Sequence, residues 1–385
     1  MMMELLAPAG GMPQLKAALR FGADAVYGGM KAYGLRAFAG NFDDDELAEA
    51  VRLAHTQGKK FYVTLNILPY DDELDGLVAC AQKAHEIGVD AAIVSDLGAF
   101  ACLRARVPNL ALHVSTQANV MNVPAAEVFV QMGARRIVLA RELSLKRIRQ
   151  IRDALPETVE LEAFVHGAMC MAYSGRCMLS DHLTGRGGNR GACAQPCRWS
   201  YHVVEEKRPG EYIKVEADER GTSLFSAYDL NMLSHLPEMA RAGIASLKIE
   251  GRMKTAYYVA SVVSCYRRAL DILEKEGEEA YRLALPVLQA DLEKASHRAS
   301  NTGFYFGAPQ PASGATSFMQ TREYIADVLG YENGELLLSL KNRFYVGDEL
   351  ELLCPQGRLS FIVSQITLDE TGETVPTVSD RKSVV

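Results

Sequence analysis

Along the first 275 residues one pattern recurs: a short apolar or β-branched run, a polar or glycine-bearing loop, then a stretch with helical spacing. The runs predict strands over Glu4–Ala9, Ala23–Gly28, Lys60–Ile67, Ala91–Asp96, Ala111–Thr116, Arg136–Arg141, Glu160–His166 and Ser246–Glu250. Between them, Glu46–Gln57, Glu73–Ile87, Ala125–Met132 and Ser144–Ala154 predict helices. Gly22, Gly58, Gly88, Gly133 and Gly243 stand where helix C-caps belong. Eight alternations of this kind predict an α/β fold, a (β/α)8 TIM-like barrel over residues 1–275, in preference to an open sheet.

One interval breaks the rhythm. Residues 167–227 hold a glycine-rich stretch, Gly185–Gly191, and an expected hairpin around Lys207–Glu211, which predicts an insertion after strand 7. Such an insertion emerges at the C-terminal face of a barrel, where these folds keep their active sites. Residues 276–300 predict a charged helical linker. Residues 301–385 predict a small antiparallel β domain, with runs Tyr324–Val328, Glu335–Leu340, Glu349–Leu352 and Leu359–Ile366 turned by Asn333-Gly334 and Pro355-Gln-Gly357. The tail from Thr371 to Val385 is polar and lacks a strand pattern.

The insertion gathers four of the chain's eight cysteines: Cys170, Cys177, Cys193 and Cys197. Thiols grouped this way suit a zinc or an iron–sulfur site. Only Cys193-x3-Cys197 fits a zinc knuckle, so an all-thiolate iron–sulfur site ranks ahead of zinc. No apolar run approaches the length of a membrane span and no basic leader opens the chain, which predicts a cytoplasmic protein with reduced thiols and no membrane partner. A net charge of −7 argues against nucleic-acid binding by the whole surface and confines it to local patches.

Two such patches exist. Arg176, Arg186, Arg190 and Arg198 accompany the cysteines against the single acid Asp181, and Trp199 and Tyr201 follow; cations with aromatic platforms suit an unstacked nucleotide. The second run, Arg135 to Arg152, reads first as a solvated helix face. At strand ends, Tyr27, Asn66, Ser95, Asp96, Ser115, Gln117, Arg141, Glu142, Glu162 and His166 converge on one rim. Lys248, Glu250 and Arg252 recur every second residue and share one face of an extended strand, as a salt-bridged rim or a clamp for an anionic substrate. His166, four residues before Cys170, completes the candidate catalytic set. Common protease and nucleotide motifs are missing: there is no H-E-x-x-H, G-x-S-x-G or G-x-x-x-x-G-K-[ST].

The segment Glu162-Ala-Phe-Val-His-Gly-Ala-Met-Cys170-Met-Ala-Tyr-Ser-Gly-Arg-Cys177-Met-Leu-Ser180 closely resembles the signature of peptidase family U32, the collagenase-like proteases. Glu4–Gly10, Ala23–Tyr27, His113–Gln117 and Ala245–Arg252 extend the likeness. Several members of that family resemble oxygen-independent hydroxylases with a 4Fe-4S cluster on four cysteines. Gly191-Ala-Cys193-Ala-Gln-Pro-Cys197-Arg-Trp199 is most similar to the branch that hydroxylates the tRNA wobble uridine with prephenate. The resemblance implies Cys170, Cys177, Cys193 and Cys197 as cluster ligands, tRNA as partner and a small carboxylate, prephenate, as co-substrate. Arg176, Arg190, Arg198 and Trp199 are then the expected RNA contacts. The alternatives are a collagenase-like peptidase and a non-catalytic RNA- or partner-binding subunit; a homo- or hetero-oligomer is compatible with each.

Overall fold

Strands β1 (Glu4–Pro8) and β2 (Ala25–Gly29) are apolar almost throughout, as strands buried on both faces must be. They open a closed ring completed by β3 (Lys60–Leu65), β4 (Ala91–Val94), β5 (Ala111–Val114), β6 (Arg136–Val138), β7 (Glu160–Ala168) and β9 (Ser246–Ile249), all parallel, with β9 pairing both β1 and β7. These are the eight expected strands. The computed structural model describes residues 3–36, 39–170, 173, 175–199, 228–307, 319–332, 334–369, 371–378 and 383–384. The hairpin expected at Lys207–Glu211, Tyr201 and the side chain of Arg198 lie outside them.

Helices α1 (Met12–Arg20), α2 (Asp44–His55), α3 (Leu74–Ile87), α4 (Leu97–Arg106), α5 (Val123–Gln131) and α6 (Leu145–Ala154) follow successive strands on the outside. In α2 a reciprocal Asp43–Glu46 capping box starts the helix, and Leu47, Ala50, Val51 and Ala54 turn inward at helical spacing. All five glycines expected at helix ends have left-handed backbone. The insertion's described part holds one short helix, α7 (Leu179–Thr184).

Strand β7 does two jobs. A bulge between Phe164 and His166 lets its first part pair with β9 while its end runs antiparallel to β8 (Asp229–Asn231), which the sequence pattern had not shown. A short α8 (Leu236–Arg241) leads to β9, and α9 (Ala256–Lys275) closes the barrel's outer layer. The expected linker differs: α10 (Gly277–Leu292) folds back and packs, with the Tyr281 hydroxyl bonded to Leu233 and Leu236. β10 (Ser300–Asn301) then pairs with β8.

The C-terminal domain comprises β11 (Ala326–Glu332), β12 (Glu335–Leu340), β13 (Phe344–Tyr345), β14 (Glu349–Cys354), β15 (Gly357–Ile362), β16 (Thr377–Val378) and β17 (Ser383–Val384), paired antiparallel in small sheets over Leu340, Phe344, Val363, Ile366 and Val378. Its tail, expected to lack strands, supplies β16 and β17; each is two residues long and made by pairing rather than apolar pattern. Arg358 of β15 docks the domain, reaching Asp291 of α10 and lying over Tyr257 of α9. No helix of the described residues is long and apolar enough to cross a membrane.

The barrel's interior is not simply oily. Below Leu6, Tyr27 and Ile93, Arg136 donates to Glu4 (2.6 Å), Glu160 (2.8 Å) and Glu162 (3.0 Å). Glu162, fully buried, also accepts from Lys248 at 2.7 Å. Removing one partner of such a pair strands the rest in low dielectric. Glu162→Ala is therefore expected to cost about 3–5 kcal/mol in urea denaturation, whereas Asp75→Ala, which breaks the exposed pair with Arg106, should cost under about 1 kcal/mol. Equal losses would refute a central role for the buried carboxylate.

Candidate active site

At the C-terminal mouth, strand ends and the loops after them enclose a narrow pocket with about 40 Å³ of free volume. Tyr27, Asn66, Ser115, Gln117, Arg141, Lys248, Glu250 and Arg252, all expected at the rim, line it together. Lys248 stands lowest, with its ammonium 4.3 Å from the centre of the Tyr27 ring and its charge answered by Glu162. Two residues on, Glu250 meets Arg36 at 3.6 Å. Burial alone would raise the Glu250 carboxyl's pKa, but Arg36, Arg141 and Arg252 outweigh it and hold the group below the ordinary carboxylate range.

Arg252 is buried and fixed by two neutral acceptors, Thr64 Oγ1 at 2.9 Å and Asn41 Oδ1 at 2.6 Å. Its Nε is buried without a hydrogen-bond partner. Burial, then Arg36, push its pKa down to about 10, so its cation is poorly compensated. Asn41, in left-handed backbone, also donates to the Arg36 carbonyl and so ties both arginines together. Arg141 lies over the Phe164 ring and donates to the Ala168 carbonyl. Three guanidiniums thus surround one carboxylate, and the pocket suits an anion.

Arg36, Thr64 and Asn41 were not among the expected residues. They sit on or beside the connection 30–43, whose length at the functional face was the available signal.

His166 corrects an expectation. It does not line the pocket; beyond the β7 bulge its ring packs against Tyr266 and Tyr258 of α9, with Nδ1 buried and unpartnered. Of the second basic run, Arg136 and Arg141 point inside and Arg152 donates to the carbonyls of Leu155 and Val159, while Lys146, Arg147 and Arg149 stay exposed on α6 as the solvated helix face expected.

A family model for peptidase family U32 matches residues 10–314, and one for the peptidase family U32 C-terminal domain matches residues 320–385. The chain belongs to peptidase family U32. It is 35% identical to tRNA hydroxylation protein P of Escherichia coli, over 97% of this chain and 90% of that protein. It is 38% identical to tRNA hydroxylation protein P1 of Bacillus subtilis, over 92% and 84%. It is also 35% identical to the 23S rRNA 5-hydroxycytidine C2501 synthase of E. coli, over 96% of this chain and 55% of that one.

In this U32 chain the cysteine segment rests on the pocket's loops. Cys170 hydrogen-bonds Arg141, and a Cβ added at Gly175 or Gly191 would collide with the carbonyls of Gln117 or Gly34. Cys177 and Cys193 flank Gly188, and Cys193 Sγ accepts from the Gln195 amide at 3.4 Å. All four thiols are free of disulfides. Among the described residues no group of three His, Cys, Asp or Glu side chains is placed to hold a metal ion. A four-iron cluster takes each thiolate on a different iron, and four cysteines outside disulfides beside a cation suit it in kind. Arg176 and Trp199 are exposed on this segment, while Arg190 is engaged by Glu73.

The placement of His166 has a pH consequence. Burial, then the charges of His297 and Lys254, push its pKa down to about 3, so the folded ring is neutral. Unfolded histidine titrates near 6.5, so below that pH the unfolded state takes up a proton that the folded state refuses, and stability falls with pH. Between pH 7 and 5 this amounts to about 2 kcal/mol. His166→Phe should remove that part of the slope in urea titrations; an undiminished slope would show that the ring is not held neutral.

Proposed function

We propose that this protein hydroxylates the wobble uridine of tRNA in the cytoplasm, independently of oxygen, with a small dicarboxylate of the prephenate type as co-substrate. The observation that carries the reading is the convergence of Arg36, Arg141 and Arg252 on a pocket where Glu250 is the single opposing charge and Glu162 answers Lys248 below. Two carboxylates on one small molecule offset that excess, each through charge-assisted hydrogen bonds. The names of the relatives supply the RNA side of the reading.

Cys170, Cys177, Cys193 and Cys197 would hold a 4Fe-4S cluster, which supplies electron-transfer chemistry beside the pocket. The chain's own residues do the rest: the arginines bind and orient the co-substrate, Phe164 and Tyr27 exclude water, and Lys248 keeps a proton donor at the pocket floor. RNA fits the mouth better than the C-terminal domain, since residues 320–385 carry six Lys and Arg against eleven Asp and Glu. The peptidase reading finds little support: among the described residues no histidine lines the pocket, and Ser115 faces Asn66.

Three measurements test this. Deletion of the gene should abolish the hydroxylated wobble nucleoside in mass spectra of tRNA, and an unchanged nucleoside profile would overturn the assignment. Anaerobically purified protein should contain about four iron and four sulfide, lost in Cys193→Ala. Arg36→Gln and Arg141→Gln should each weaken prephenate binding by calorimetry about tenfold or more, the effect of a lost charged hydrogen bond; binding as tight as wild type would remove the pocket from the reading.

A further inference from the structure

Arg190 looks in sequence like a phosphate contact, yet its guanidinium already has partners. Nη2 and Nη1 grip Glu73 at 2.6 and 3.1 Å, and Nη1 also donates to the Leu68 carbonyl at 3.0 Å. The cation lies 4.2 Å from the centre of the Tyr70 ring, and beside it Leu68 donates its amide to the Asn189 carbonyl. Glu73 is itself set by accepting from the Tyr70 amide at 2.7 Å. A forked guanidinium–carboxylate pair of this kind fixes orientation as well as distance.

What this grip positions is the next residue. Gly191 has φ 91° and lies so near the connection 30–43 that a Cβ would stand 2.7 Å from the Gly34 carbonyl oxygen and 3.5 Å from the Leu35 Cα. Leu35 is held from the other side by Asn66, and the adjacent Arg36 faces Glu250. The contacts run without a gap from Glu73 through Arg190, Gly191 and Leu35 to Arg36 in the pocket.

We infer that Arg190 is a positioning residue: with Glu73 it latches the cysteine segment onto the loops after β2 and β3 and thereby sets Arg36 for the anionic co-substrate. This deepens the reading of the pocket as an anion site and rests on it. The latch is partly solvent-exposed on both sides, which makes it a contact that can open.

The test uses the full-length protein with Glu73→Gln, Arg190→Gln and the double exchange Glu73→Arg/Arg190→Glu. Three properties are read: hydrogen exchange of peptides covering 33–36 and 188–191, prephenate binding by calorimetry, and affinity for unmodified tRNA as a function of salt. Each single variant should speed exchange in both peptides and weaken prephenate about fivefold, the scale of a partly exposed ion pair. Affinity for tRNA should stay within about twofold, and the double exchange should restore much of the protection. The inference is overturned if residues 33–36 stay as protected as in wild type. It is equally overturned if Arg190→Gln alone loses tRNA affinity with a shallower salt slope, the mark of a phosphate contact. If wild type binds no prephenate while both peptides respond, the pocket reading fails and the latch stands.

Discussion

The pair that everything above it depends on is Glu162 with Lys248. A carboxylate with no solvent exposure is tolerable only if its charge is answered on the spot, and Glu162 is answered from two sides, by Arg136 below and Lys248 above. Burial by itself raises the Glu162 pKa; the two cations reverse that and hold it ionised. Because Glu162 belongs to β7 and Lys248 to β9, the pair also bridges the seam where the barrel closes. Closure and electrostatics are therefore one constraint, and a shift of register by one residue would turn both charges into the apolar outer layer.

This arrangement decides the sign of the pocket. With Lys248 neutralised from below, the charge at the mouth is set by what stands higher: Arg36, Arg141 and Arg252 around Glu250. Neutral groups, Thr64 and Asn41, hold Arg252 in place of a second carboxylate. Had an acid occupied position 41, the pocket's excess of two positive charges would fall to one and its preference for a dianion would weaken. The uncompensated cation and its unpartnered Nε are costly to folding, and such costs concentrate where a ligand relieves them.

Much of this was legible in the chain and part was not, for physical reasons. The eight strands of the ring were readable because strands buried on both faces must be apolar, and the alternation Lys248, Glu250, Arg252 was readable because inward residues repeat every second position. β8, β10, β16 and β17 escaped because strands of two or three residues are defined by their partners, not by their own pattern. The His166 placement escaped because it depends on a bulge, a backbone irregularity without a side-chain signature. Arg36 escaped because a lone arginine in a loop has no period to betray it.

Basic residues carried the least transferable signal. Counting cations along a segment treats each as free, whereas the fold distributes them among carboxylates, carbonyls and the interior before any surface is left. Of the run from Arg135 to Arg152, two members serve the barrel's inside and a third ties down carbonyls; of the cysteine segment's arginines, Arg190 serves Glu73. Among the described side chains, what remains exposed there is Arg176, Arg186 and Trp199, a smaller footprint than the sequence suggested.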